Sequence, residues 1–457
     1  MPCVGRNALA AVAAVVLLAG TWVCAAQAGA TFGAETFALD NGMQVVVIPN
    51  HRAPVVYHSV WYKVGAADDP AGKSGIAHML EHLMGKGTDK IAPGAFTKII
   101  ARNGGSANAF TSHDHTGFYQ YIARDRLEMV MEMEADRMVN LVFNEQDFLT
   151  EREVILEERR GRTDNNPRAL FSEQVNAVQY LSHPYGRPVV GWEHEIRSNS
   201  YDDAYAFYRA HYVPNNVILI VAGDITVAEL RPLAERIYGA IPAQPVPARA
   251  RPREPLQRAA RRLEMVDPRV GNPEWRRSYL APSFRVDPDR HAVSLEVLAE
   301  ILGGGATSRL YQALVVEQQL ASNARVFYDG RFYDLTQFAI HVQLRPGIDM
   351  KQVEAAVEAE IERLVSEGIT YEELARAKFG MKAEAIYARD NSSSLAQIFG
   401  DALSAGQTVD DVESWTEDVE AITADRVVAA AKAVLRPENS VTGLLLPDAA
   451  DDGEDQG

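Results

Sequence analysis

Five prolines, at positions 242, 245, 247, 252 and 255, divide this 457-residue chain into two stretches of comparable length. Proline fixes φ and offers no backbone N–H, so a run this dense sustains neither a helix nor a sheet. Each flank is the size of an ordinary domain. The chain is therefore expected to build two cores, residues 32–241 and 259–447, joined by a solvated Pro/Arg-rich linker at 242–258.

Hydrophobic residues make up 47% and charged residues 23%, the balance of a globular protein. Lys plus Arg number 45 against 62 Asp plus Glu, a net charge of −17 that repels polyphosphate backbones and argues against nucleic acid as a partner. Arg6, the apolar run 8–20 and the small-residue site Ala26-Gln27-Ala28 read as a secretory signal over residues 1–28. That run is too short to span a bilayer comfortably, and no later stretch approaches the ~20 apolar residues of a membrane helix. The expected protein is exported, to a periplasm or beyond, with no membrane span. Cys3 and Cys24 both precede the expected cut, so the exported chain holds no disulfide. A lipid anchor at Cys24 would want a small residue before it, where Thr21-Trp22-Val23 stand. The acidic tail at 448–457 is expected to be disordered.

Apolar residues alternate at 44–48 and 55–64, which predicts half-buried strands, and helical periodicity begins at Gly75. The continuous apolar run 217–222, closed by Gly223-Asp224, predicts a strand buried on both faces. A strand near 276–281 and a helix near 291–302 repeat that outline in the second half without a close residue repeat.

The chemistry concentrates in GIAHMLEHLMG at 75–85. Ile76, Met79, Leu80, Leu83 and Met84 form one helical stripe, and His78, Glu81 and His82 gather on the opposite face. At about 100° per residue, histidines four apart lie one above the other, so two imidazoles converge on one ion with a carboxylate beside them. Zinc takes such nitrogen ligands, and a catalytic zinc takes three protein ligands. The third is sought at 144–158, where Glu151 and Glu158, seven apart, share the stripe of Phe148, Val154 and Ile155. Buried carboxylates need a cation, whereas Glu153 and Glu157 face elsewhere. Periodicity leaves Glu151 and Glu158 equal candidates.

HxxEH with an acidic helix some way beyond it resembles the inverzincin peptidases of the pitrilysin and mitochondrial processing peptidase family. Further matching blocks are GGSANAFT at 104–111 with His115, Thr116 and Tyr119, then Ala135-Asp136-Arg137-Met138, HPYG at 183–186, YVPN at 212–215, and the 303–305 glycines leading to SRLY at 308–311. The resemblance covers nearly the whole chain after residue 28. It implies an α+β fold of two similar halves, each a mostly antiparallel sheet covered by helices, facing each other as a clam shell. It further implies one zinc per chain held by His78, His82 and Glu158, with Glu81 and Glu151 as the catalytic acids, the first a general base and the second in support. Asn108 and Ala109 would lie on an edge strand that pairs with extended substrate, with Phe110 bordering a specificity pocket. The activity implied is endopeptidase action on peptides or unfolded polypeptides.

One departure bears on that activity. Family members with a self-sufficient site carry an Arg and a Tyr after the Gly-rich segment, where this chain has Val315 and Ser322. Neither replaces a charge-assisted hydrogen bond to a developing oxyanion. The expectation is a heterodimer with a homologous subunit that carries the pair, or a homodimer. The alternatives are a weakly active or non-catalytic assembly subunit and a metal-free peptide-binding protein. His113 and His115, alternating around Asp114 as strand residues, are read as surface or packing histidines rather than a second metal site. Residues 303–305 lack the Lys-Ser or Lys-Thr of a phosphate loop and are read as a turn or a substrate-contacting loop.

Overall fold

The computed structural model describes residues 31–448. The expected signal at 1–28, both cysteines and the tail beyond Asp448 lie outside the described residues. The first sheet contains β1 (Glu35–Ala38), β2 (Gln44–Pro49), β3 (Val55–Tyr62), β4 (Ser106–Thr111), β5 (Thr116–Ala123) and β6 (Val217–Gly223), in the order β1-β2-β6-β3-β5-β4. The second contains β7 (Arg261–Val266), β8 (Glu274–Ala281), β9 (Ala321–Tyr328), β10 (Thr336–Leu344) and β11 (Ser440–Leu446), in the order β7-β11-β8-β10-β9. In each sheet one early strand runs parallel to the last one, β2 to β6 and β7 to β11, and the remaining pairs are antiparallel. The architecture is α+β in two similar halves, and the second repeats the first in topology.

On one face of the first sheet, Val45, Val47, Val56, Val60 and Phe118 pack with Met79, Leu80, Leu83, Val130 and Phe207 of the helices that follow. The other face is covered from the second half. Leu395, Ala396, Phe399 and Leu403 of the Ser392–Ser404 helix pack on Val46, Ile48, Trp61, Ile218 and Ile220. The exchange is reciprocal, because Phe171 and Val175 of the Pro167–Gln179 helix pack on Val441 and Leu445 of β11. Burying a large apolar side chain contributes about 1.5–3 kcal/mol, so these contacts bind the halves firmly.

This cross-covering corrects the expectation of half-buried strands: β2 and β3 are buried along nearly their whole length. Close approach depends on two glycines. A Cβ at Gly400 would lie 2.2 Å from the Trp61 indole, and one at Gly443 would lie 2.7 Å from the Phe171 ring.

The stretch 242–258 holds no helix or strand and is exposed at most positions, but it also reaches into the first half. Arg251 is only 5% exposed; it bonds both carboxylate oxygens of Asp68 at 2.9 Å and Asp114 at 2.5 Å, with its guanidinium over Tyr333. Asp68 and Asp114 are buried in the first half and need a cation, which the linker supplies. His113 and His115 lie in the turn between β4 and β5, not within a strand. Both are packed: His113 Nε2 lies 3.1 Å from the Arg187 carbonyl, and His115 is 4.8 Å from Trp61 between ring centroids. Val154 is 47% exposed and does not share the buried stripe of Phe148 and Ile155. Residues 304–308 form a turn. Among the described residues no helix is long and apolar enough to cross a membrane.

Candidate metal centre

The His-bearing helix, Ile76–Leu83, is fixed at its start by backbone chemistry. Gly75 sits at the N-cap with φ +87°, and a Cβ there would meet the Val190 carbonyl at 2.6 Å. Glycine is required on both counts. Asp69, 4% exposed, accepts hydrogen bonds from the N–H groups of Gly75 (2.7 Å) and Ala77 (3.0 Å) and so caps the helix. Burial holds its carboxyl up at about 7 against the pull of those two donors.

His78 and His82 meet Glu158 from the Glu145–Arg159 helix, and one donor atom from each lies within 4.8 Å of the others. Glu158 oxygens stand 3.8 Å from His78 Nε2 and 3.3 Å from His82 Nε2. Glu151, the other candidate, lies on the far side of His82: its carboxylate accepts from Nδ1 at 3.2 Å and takes an ion pair from Lys86 at 2.6 Å. One imidazole nitrogen is thereby committed to a carboxylate and the other left for the cluster, the arrangement that orients a ligating histidine.

Two imidazole nitrogens and a carboxylate oxygen are the donor set that a catalytic zinc accepts, so the residues fit that ion. Nδ1 of His78 is buried without a hydrogen-bond partner among the described residues, which leaves its orientation to packing.

Electrostatics distinguish the five groups. Burial and neighbouring His82 push His78 down to about 4. Burial works against His82 as well, but its bonds to Glu151 and Glu158 prevail and raise it to about 9. The His82 hydrogen bonds hold Glu151 and Glu158 below the usual carboxylate range. Glu81 moves the other way, raised by burial. It accepts a 2.6 Å hydrogen bond from Thr111 at the end of β4, which ties it to the edge of the first sheet.

That edge places the remaining expected residues. Among the described residues β4 pairs only with β5, and Asn108 and Ala109 oppose Tyr119 and Phe118. Along β4 the side chains alternate: Ala107 and Ala109 pack on the first core beside the Ile76–Leu83 helix, whereas Phe110 turns to the opposite face against Trp61 and Tyr119. Sequence reasoning missed Thr111, Lys86 and Arg162, the last bonded to Glu158 at 2.5 Å. Thr111 lay inside a matching block, Lys86 is four residues beyond His82, and Arg162 is four residues beyond Glu158, the spacing of an i,i+4 ion pair.

A cavity of about 800 Å³ lies between the halves, and none of His78, Glu81, His82 or Glu158 lines it. The cluster is reached from elsewhere, with the side chains of His82 and Glu158 20% and 18% exposed. Val315 packs against the second core, and Ser322 donates to the Gln343 carbonyl within the second sheet.

An inverted HxxEH helix beside an exposed sheet edge, with an acid from a second helix closing a metal cluster, defines a metallopeptidase-type site. Residues 44–192 match the family model described as "Insulinase (Peptidase family M16)", and residues 198–381 match "Peptidase M16 inactive domain". The chain is 33% identical over 373 residues to a protein named zinc protease PqqE of Helicobacter pylori, covering 81% of this chain and 83% of that one. The crystal structure of a protease from Helicobacter pylori aligns with TM-score 0.84 and 31% identity over 91% of this chain and 99% of that one. Pitrilysin shares the fold at TM-score 0.74 and 19% identity, over 91% of this chain but 45% of its own length. The chain belongs to peptidase family M16.

Proposed function

We propose that this protein is a zinc-dependent endopeptidase of the cell envelope, acting on peptides or unfolded polypeptides as the HxxEH-bearing subunit of a dimer. The observation that carries the reading is the convergence of His78, His82 and Glu158 with Glu81 beside them, tied to a free sheet edge. His78, His82 and Glu158 would hold one zinc, which supplies Lewis-acid polarisation and a water of lowered pKa. Glu81, with its carboxyl raised by burial, accepts the proton from the attacking water and returns it to the leaving amine. Glu151 is a positioning residue that holds the His82 ring. The backbone at Asn108 and Ala109 aligns an extended substrate by strand addition, which reads main chain more than side chain, and Phe110 borders a pocket on the other face of that strand.

Two observations support a second subunit. The cluster does not line the chain's own cavity, and Val315 and Ser322 are occupied in the second half with no donor for an oxyanion. The same two residues favour a second reading, a weakly active assembly subunit. Residues 1–28, read as an export signal, support the envelope location.

In the test, Glu81→Gln is expected to keep its zinc and to lose about 10²–10⁴-fold in peptide hydrolysis. The assay is run on the chain alone and with a homologous subunit that carries the Arg/Tyr pair. An unchanged rate removes Glu81 from the mechanism, strong hydrolysis by the chain alone removes the heterodimer, and no hydrolysis in either format favours the assembly reading.

A further inference from the structure

Adjacent arginines on β8 differ sharply. Arg277 faces the second core's helices and pairs with Glu354 and with Glu358 at 2.9 Å. Arg276 faces the cavity between the halves, is 8% exposed, and makes no ion pair among the described residues. Its contacts are long bonds to neutral groups, 3.3 Å to the Ser172 hydroxyl and 3.4 Å to the Gln337 amide oxygen, and its Nε has no partner. Nearby Glu274, on the same face of the strand, is paired to Arg168 at 3.4 Å.

A buried guanidinium whose acidic neighbour Glu274 is shared with Arg168 is only partly compensated, and planar forks of this kind are built to clasp carboxylates. Directly across the ladder, His341 on β10 also lines the cavity, and its Nε2 is buried with no partner. The Arg276 guanidinium and the His341 ring thus stand side by side on one wall, each with one nitrogen left without a partner among the described residues. His341 adds a second donor when its ring proton is on Nε2.

Other walls name the body of the ligand. Phe284, Phe327 and Met381 give the cavity apolar surface, and its volume is that of a small-ligand pocket. Glu300 and Glu384 line it as well. Burial and the neighbouring Glu384 both disfavour a bare Glu300 carboxylate, and a cation placed between the two carboxyls relieves their repulsion. A ligand with a carboxylate, an apolar body and an ammonium is a short peptide.

We propose that the cavity between the halves is a second peptide-binding site, separate from the metal cluster, where Arg276 and His341 receive the C-terminal carboxylate of a short apolar peptide. The site does not depend on the metallopeptidase reading, and its occupancy is measured in chain stripped of metal.

The experiment is calorimetric titration of the chelator-treated full chain with trileucine, its C-terminal amide, and dodecanoate. Trileucine is expected to bind about tenfold or more tightly than the amide, as befits loss of a charge-assisted hydrogen bond, and more tightly than dodecanoate. Arg276→Gln is expected to abolish the preference for acid over amide. Equal binding of acid and amide by the unmodified chain, or an unchanged preference in Arg276→Gln, overturns the proposal. Tighter binding of dodecanoate than of trileucine overturns the peptide assignment. The acid and amide comparison needs no variant, so it decides the matter even if Arg276→Gln does not fold.

Discussion

The two halves share a topology and differ in chemistry. After β3 the first half places a helix bearing His78, Glu81 and His82; after β8 the second half places Ala292–Gly303, an almost wholly buried helix rich in Ala, Val and Leu whose polar insertions are Ser294, Glu296 and Glu300. Among the described residues, the cluster in the first half is the one group of His, Cys, Asp and Glu gathered for a metal. The second sheet therefore stands in the same topology with no such cluster. The zinc proposed for the first half is thus expected to serve chemistry rather than cohesion.

Metal removal puts that comparison to its strongest test. Chelation is expected to abolish hydrolysis while far-UV circular dichroism stays unchanged, and the melting temperature falls only by the binding contribution, about 3 kcal/mol at a hundredfold excess of ion over Kd. Collapse of the fold on chelation breaks the comparison.

Next in size is Glu151→Gln, expected to weaken zinc affinity about 10- to 100-fold by loosening the hold on His82, as read by competition with a chromogenic chelator. An unchanged affinity removes Glu151 as a positioning residue.

The reciprocal helix exchange is sharpened by its two glycines. Gly400→Ala drives a Cβ into the indole of Trp61, which is wholly buried, and is expected to cost about 1–3 kcal/mol or more. Gly443→Ala meets the outer atoms of Phe171 and Val175 and is expected to cost less. Urea titration of both variants tests the order.

The smallest effect concerns Glu296, the buried acid of the second half's helix, which accepts a 2.7 Å bond from the Trp415 indole. Burial raises it to about 7, above its ordinary 4.5. A raised folded pKa contributes stability that is full below about 4.5 and is lost as pH rises through about 7. Glu296→Gln keeps an acceptor for Trp415 and removes the titration. It is expected to flatten the stability profile between those limits and to exceed the parent at pH 8; parallel profiles count against the assignment.

Much of the site was legible because it is local. An α-helix fixes the relation of His78 to His82 and sets the apolar stripe of Ile76, Met79, Leu80 and Leu83 beneath them, and all four of those stripe residues are buried. The fully buried strand at 217–222 was equally legible from its unbroken apolar run. Other strands misled, since alternation was taken for one wet face while the covering helix comes from more than 300 residues away. In the linker, what was not legible is that Arg249 and Arg251 are matched to Asp68 and Asp114, whose burial no local pattern reveals.

The sequence by itself determined a two-part chain, a helix with two histidines on one face and two carboxylates seven residues apart on another helix. Periodicity left those carboxylates equal and the family resemblance favoured Glu158; the tertiary structure sets Glu158 against the Nε2 atoms and Glu151 against Nδ1 of His82. The reason is geometric. Residues seven apart on a helix share a face but stand about 10 Å apart along its axis. Which of them meets a partner depends on how the two helices cross, and that is decided by packing across the whole first half.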